Sequence, residues 1–178
     1  MITWKHATLT IAFLGLIMPA AASYQDQPSN DQTILEKTIS LNQQGDFEGQ
    51  FDTLIAAVQN ADMSVAETLN DSEADLTVFA PTDDAFTEIG INPDNVNEVT
   101  QEDLTNVLLY HVSEQRRMYN DIASQDGIQT LQGENITVRD DVLVDQTGDE
   151  AGIIVANVNA SNGYIHAVDS VLKPYSLE

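Results

Sequence analysis

From Leu76 to Phe86 the chain reads Leu-Thr-Val-Phe-Ala-Pro-Thr-Asp-Asp-Ala-Phe, and few backbone paths satisfy that order. Thr77 to Ala80 has the β-branched and aromatic content of a short buried strand. Pro81 cannot donate to a sheet ladder, so the strand is expected to stop there. Thr82 follows as a helix N-cap, its hydroxyl placed to accept a free amide of the next turn. Asp83 and Asp84 put negative charge at the positive end of the helix dipole, and Phe86 returns to the core. The stretch is a sharp corner between a sheet and a helix.

What surrounds the corner is set by the ends of the chain and by its charge. Lys5 and His6 precede the apolar run Ala7 to Met18, and Pro19-Ala20-Ala21-Ala22 comes next. That pattern is a secretory leader, with cleavage expected after Ala22. The apolar run is shorter than the ~20 residues of a membrane-spanning helix. Removing 22 of the 178 residues leaves 156, enough for one domain with its own core. Residues 23–33 are polar and aperiodic and are read as a flexible lead-in, and residues 34–175 as the domain. The chain has no cysteine, so an exported fold of this kind rests on its core without disulfides.

The formal net charge is −23, from 29 acidic and six basic side chains. Such a field repels nucleic acid and anionic membrane surfaces, so neither is expected as a partner. The acids are spread along the whole chain, which favours a solvated surface suited to salt over a set of cation sites. Self-repulsion should fade as the Debye length falls to ~3 Å at 1 M salt, so the melting midpoint should rise between dilute and molar NaCl. A midpoint indifferent to salt would contradict that reading.

Before the corner, three amphipathic helices are expected. Ile34, Leu35, Thr38, Ile39 and Leu41 recur at helical spacing up to Gly45; Phe51, Leu54, Ile55 and Val58 form a second set; Val65, Ala66 and Leu69 form a third, capped by Ser64. After it, the helix ends near Gly90, and Asn92-Pro93 opens a short turn of helix. Thr100 caps the next helix, with Asp103 in the capping-box position and Leu104, Val107, Leu108 and His111 on one face. The period then becomes strand-like. Strands are predicted at Gln115 to Tyr119, Ile128 to Leu131, Ile136 to Arg139, Val142 to Val144, Ile153 to Val158 and Tyr164 to Leu172, with a helical turn at Asn120 to Ser124. Asn162-Gly163 is the strongest turn signal among them. Helices fill the first half and strands the second, which is an α+β pattern with mostly antiparallel pairing.

Four blocks of residues carry a family likeness. Leu76 to Phe86 resembles the first signature of the fasciclin (FAS1) domain. Ala160-Ser161-Asn162-Gly163-Tyr164-Ile165-His166-Ala167-Val168-Asp169-Ser170-Val171-Leu172-Lys173-Pro174 resembles the second. Leu108-Leu109-Tyr110-His111-Val112 is similar to the family's Tyr-His motif, and Thr130-Leu131-Gln132-Gly133 to its Thr-Leu-x-Gly turn. The resemblance implies a twisted, mostly antiparallel β-wedge flanked by a layer of α-helices. It also implies an extracellular or periplasmic adhesion or binding module without catalysis, whose partner is a cell-surface or matrix protein or polysaccharide. On this likeness Thr77, Phe79, Pro81, Thr82, Asp83, Phe86, Asn162, Gly163, His166 and Asp169 are structural motif positions. An Asp-Ile pair linked to integrin recognition in animal members is replaced here by Asn157 and Val158, so the carboxylate is missing.

Four residues are the candidate partner contacts: Tyr110, His111, Asn157 and Val158. For His111 the residues themselves offer a second reading, a core histidine on an apolar helix face whose tautomer is set by backbone hydrogen bonds. Tyr110 has the same ambiguity, and His166, on a strand apolar on both faces, reads as another core histidine. Catalytic pairs are scarce. Cysteine is absent, only His111 and His166 follow the leader, and no G-x-S-x-G, H-E-x-x-H or phosphate-loop motif occurs. Asp140, Asp141, Asp145, Asp149 and Glu150 cluster around one loop without the EF-hand spacing, so no dedicated metal site or cofactor is expected. A different function class stays open: a periplasmic carrier of a small apolar ligand held between the helices and the wedge.

Overall fold

The computed structural model describes residues 31–176; the leader and the start of the lead-in lie outside the described residues. Helices α1 (Ile34–Gln43), α2 (Asp52–Asn60) and α3 (Met63–Asn70) precede β1 (Leu76–Pro81) and α4 (Asp83–Glu88). A single 3-10 turn, Val96–Glu98, leads to α5 (Gln101–Tyr110). Then come β2 (Val112–Glu114), α6 (Tyr119–Ala123), β3 (Gly127–Gln129), β4 (Asn135–Arg139), β5 (Val142–Val144), β6 (Glu150–Ala160) and β7 (Gly163–Val168). The strands form one seven-stranded sheet in the order β2-β1-β7-β6-β5-β4-β3. Every pairing is antiparallel except β1 with β7, which run parallel from Leu76 opposite Gly163 to Pro81 opposite Val168. The α+β class is therefore as expected, with one parallel seam at its centre.

That seam divides two cores. Leu76, Val78 and Ala80 of β1, with Ile165 and Ala167 of β7, pack under the helices against Phe51, Leu54, Val65, Phe86 and Leu108. Phe79 and Val168, on the alternate faces, pack inside the fold of the sheet with Tyr110, Ile122, Ile128, Ile136, Leu143 and Leu172. All six residues of β1 are buried, as a strand covered on both faces must be. The first and last strands are stitched together: the Leu131 amide donates to Val112 O at 2.7 Å and Ser113 Oγ to Gln129 O at 2.7 Å. Sheet edges are hazards when left open, and this contact covers both.

Several expected boundaries move, each for a local reason. The strand predicted at Gln115 to Tyr119 does not form; β2 ends at Glu114, because Gln115 has a left-handed φ of 75° that turns the chain away. Thr77 holds that turn, its hydroxyl donating to Gln115 O at 2.7 Å and accepting from the Arg117 amide at 2.8 Å. The strand predicted to Leu172 stops at Val168, where Asp169 turns aside to accept the Gly152 amide at 2.7 Å. The cap of α3 is Asp62, whose carboxylate accepts from the Ser64 amide at 3.0 Å, and not Ser64 itself. Thr33, placed in the lead-in, is buried and forms a capping box with Glu36 at the start of α1.

The opening corner is also corrected. Thr82 sits at the N-cap of α4 with extended backbone, but its side chain makes no capping bond; its amide donates to Val168 O at 3.2 Å and continues the ladder with β7. Asp83 reaches out of its own helix instead. Its two carboxylate oxygens accept the Thr53 amide at 2.8 Å and the Asp52 amide at 3.2 Å, so it caps α2, whose own N-cap residue Phe51 offers no side-chain acceptor. One aspartate thus sits at two helix N-termini and ties the corner to the helical layer.

The left-handed two-residue turn lies between β4 and β5, at Asp140 (φ 48°) and Asp141 (φ 66°), opposite the pair Arg139–Val142. Two positive φ values are the requirement of a type I′ hairpin, which glycine meets best at its second position. Asp141→Gly should raise stability by about 0.5–1 kcal/mol, since a left-handed L-residue costs about 1–2 kcal/mol. Urea midpoints would check it. Asp141→Asn removes the same charge, so only the difference between the two variants reports the backbone.

Candidate partner-binding surface

The four candidate contacts do not come together. Tyr110 and His111 are interior, at 0% and 2% exposure. Tyr110 closes the C-terminal end of α5 and its hydroxyl donates to Asn135 O at 3.0 Å. Burial, with the Asp145 carboxylate adding to it, pushes the phenol up to about 12, so it stays a neutral donor. His111 follows as the C-cap. Its Nδ1 lies 2.8 Å from Val107 O, and its Nε2 accepts the Leu172 amide at 3.0 Å. These partners assign the proton to Nδ1, and burial lowers the ring to about 4, so it is neutral. Neither side chain is presented to a partner.

Asn157 is exposed and Val158 half-buried, on an irregular part of β6 where the register with β7 shifts between Val155 and Val158. Asn157 has a φ of 63°, and its Oδ1 accepts the Tyr119 amide at 2.8 Å, fixing the bulge to the start of α6. Beneath it lies His166 and not His111. His166 is fully buried, its Nε2 3.0 Å from Arg117 O and its Nδ1 3.4 Å from the Asn157 amide. Burial holds its basicity below the usual value. Periodicity could place His166 on a buried strand, but nothing in the sequence tied it to a bulge nine residues away.

Asn162 is the residue whose work differs most from its sequence signal. The hairpin loop is Ser161-Asn162, and neither residue has positive φ, so no type I′ turn forms there. Asn162 is instead wholly buried, accepting the Ile34 amide at 2.8 Å and donating to Leu69 O at 3.1 Å and Asp71 O at 2.8 Å. One amide therefore joins the start of α1, the end of α3 and the tip of the β6–β7 hairpin. Arg116 covers the outside of the same tip, donating to Ser161 O at 2.8 Å and Ala160 O at 2.9 Å, with its guanidinium 5.3 Å from the centre of the Tyr164 ring.

The acidic loop is organised by its own chain. Asp140 and Asp141 are spent on the hairpin turn. Asp145, buried, accepts the Thr147 and Asp149 amides on Oδ1 and the Lys173 amide on Oδ2, at 2.8 to 2.9 Å. Asp149 is paired with Lys173 Nζ at 2.5 Å, which holds its carboxyl below the usual range. Among the described residues no group of three or more potential ligands could hold a metal ion. Between the helices and the sheet, a void with about 20 Å³ of water-accessible space is lined chiefly by apolar side chains such as Ile34, Leu54, Val78 and Leu108, with Thr38 and His111. That is room for about one water molecule, far below the ~300–1,000 Å³ of a small-molecule site. Open grooves mark the surface, among them one of about 300 Å³ lined by Glu114, Arg117, Gln129 and Thr130; two are larger. One of about 480 Å³ runs between the segment after α4, the start of α5 and the 145–149 loop. The other, about 650 Å³, lies beside Leu76, Glu114 and Arg116.

Comparison with known proteins places this geometry. The fasciclin domain family model matches residues 49–174. Transforming growth factor-beta-induced protein ig-h3 of Sus scrofa is 33% identical over 128 residues, covering 71% of this chain and 18% of that protein. Protein sll1483 of Synechocystis sp. is 36% identical over 128 residues, covering 70% and 67%. Cell surface glycolipoprotein MPB83 of Mycobacterium bovis is 34% identical over 119 residues, covering 65% and 50%. The chain thus spans under a fifth to about two thirds of the length of these relatives. Among solved structures, a FAS1 domain pair from the insect cell adhesion molecule Fasciclin I is similar in fold, with a TM-score of 0.52 at 22% identity, covering 65% of this chain and 42% of that one.

Proposed function

Because this chain belongs to the fasciclin domain family, we propose that it is an exported, non-catalytic binding module that attaches a cell to a surface or matrix partner, protein or polysaccharide. The observation that carries the reading is how the reactive groups are used. Both ring nitrogens of His111 and of His166, and the Tyr110 hydroxyl, are engaged inside the fold, chiefly by main-chain groups. A general base must reach a substrate proton, and these reach only backbone. The relatives named for cell-surface location and cell adhesion support the same reading, as does the leader pattern before Ser23. Asn157, Val158 and the surface grooves are among the features available to a partner. The carrier reading draws no support from an interior void with room for about one water.

The test is removal of the gene from its source organism, with attachment to glass and to extracellular matrix measured. Attachment should fall and be restored by the mature domain added back from residue 23. Unchanged attachment would sink the reading, whereas a small apolar compound co-purifying in one-to-one ratio would favour the carrier.

A further inference from the structure

We propose that the groove between the loop after α4 and the 145–149 loop binds a lysine-rich segment of a protein partner. The inference rests on the binding-module reading and names the partner's chemistry. Part of the groove lining is aliphatic: Ile89, Ile91 and Val99 are half-buried, packed against the helical core and lining the groove. The same lining carries the acidic residues Glu98, Asp103 and Asp149. The only cation lining it, Lys173, is already neutralised by Asp149, and its side chain is 18% exposed. Asp103 is held in place, accepting from Thr100 Oγ1 at 2.6 Å and from the Tyr175 hydroxyl at 2.9 Å, so its carboxylate is positioned before any partner arrives.

This mixed aliphatic and acidic lining matches one kind of side chain. Lysine has a four-carbon apolar stem and a compact ammonium, and it lays the stem on apolar surface while the charge stays at a polar rim. An apolar partner alone would leave the Glu98 and Asp103 carboxylates to be desolvated without a cation, and an acidic one would be repelled by them and by the net charge of −23. The volume, about 480 Å³, falls in the ~300–1,000 Å³ range of small binding clefts. The second groove differs in charge, because Arg116 stands against Asp75 and Glu114 there.

The probe is a fluorescent alternating lysine–leucine hexapeptide, with lysine–serine and glutamate–leucine hexapeptides alongside, measured by anisotropy at about 0.15 M NaCl to screen diffuse attraction. Glu98→Lys reverses an exposed charge in the groove; Glu67→Lys makes the same change at an exposed position of α3, outside it. Glu98→Lys should weaken the lysine–leucine peptide about tenfold and Glu67→Lys less than about twofold, as expected for close against distant charges. The lysine–serine peptide should bind more weakly than the lysine–leucine one, and the glutamate–leucine one not at all. Equal losses in the two variants would overturn the proposal, since they report only the overall field; so would equal binding of the leucine and serine peptides. If Glu98→Lys loses the peptide yet supports full attachment, the groove proposal fails and the adhesion reading stands. If gene removal leaves attachment intact, the adhesion reading fails on its own.

Discussion

Gly163→Ala should cost about 3 kcal/mol or more, or prevent folding outright. A Cβ at this position would stand 2.1 Å from the carbonyl oxygen of Leu76 and 2.8 Å from Ile34 Cδ1. The nearer atom is backbone in the parallel seam, where Leu76 faces Gly163 and the Leu76 amide donates to Asn162 O at 2.9 Å. Relief would require moving β1 away from β7, and the two cores meet along that line. Gly152→Ala is the comparison. Its Cβ would meet only the Asp169 carboxylate, at 2.9 Å, and a side chain can rotate at the loss of one hydrogen bond to the Gly152 amide. The expected cost there is about 1 kcal/mol. Urea unfolding of both variants, with circular dichroism confirming the folded state, ranks them. Equal costs would mean that the seam relaxes more freely than backbone packing allows.

These two glycines show which parts of the structure were legible beforehand. Strand and helix periods are properties of consecutive residues, so β1, α2, α5 and β5 could be read from Thr77, Phe51, Leu104 and Val142 and their neighbours. The fasciclin likeness likewise rests on contiguous blocks, and family and fold both follow it. What was hidden is pairwise and distant. The parallel seam brings residue 76 to residue 163, and nothing local distinguishes a parallel from an antiparallel neighbour when both faces are apolar. Asn162-Gly163 had the composition of a left-handed turn, yet the glycine is there for a close backbone approach and the asparagine for three bonds to α1, α3 and the segment after it. Asp83 shows the same limit: its charge was legible as a cap, but not that it caps a helix thirty residues earlier.

Of the candidate site, the sequence disclosed the residues and not their depth. Helical spacing placed His111 on an apolar face, and the two hydrogen bonds that determine its state reach four residues back and 61 residues forward. Asn157 and Val158 were found through the family's pattern, while the left-handed bulge that exposes Asn157 follows from a register shift against β7. The aliphatic–acidic groove had no sequence signature, because acids are everywhere in this chain and Ile89, Asp103 and Asp149 meet only in space.

The hidden depth of His111 has a consequence for acid stability. Its ring is lowered from 6.5 to about 4 by burial, because the charge would enter a buried site and the proton would break the bond from the Leu172 amide to Nε2. In the unfolded chain the same ring takes up a proton below its ordinary value near 6.5. Between those two values the unfolded state binds a proton that the folded state refuses, so stability rises with pH across that window. The contribution is fully present above pH 6.5, is lost as pH falls toward 4, and stays constant below; its size is about 3 kcal/mol. His166 is lowered in the same direction and adds to it. Opposing them, carboxylates that begin to protonate near pH 4–5 relieve the self-repulsion of a chain at −23. Between pH 6.5 and 5 most carboxylates remain ionised and the histidine effect should dominate, so the urea midpoint should fall there. His111→Gln replaces the ring with a group that does not titrate. It should be less stable than the parent at pH 7.5 and lose less on acidification, the two curves converging toward pH 4. Parallel curves would show that His111 is not the group whose protonation the fold resists.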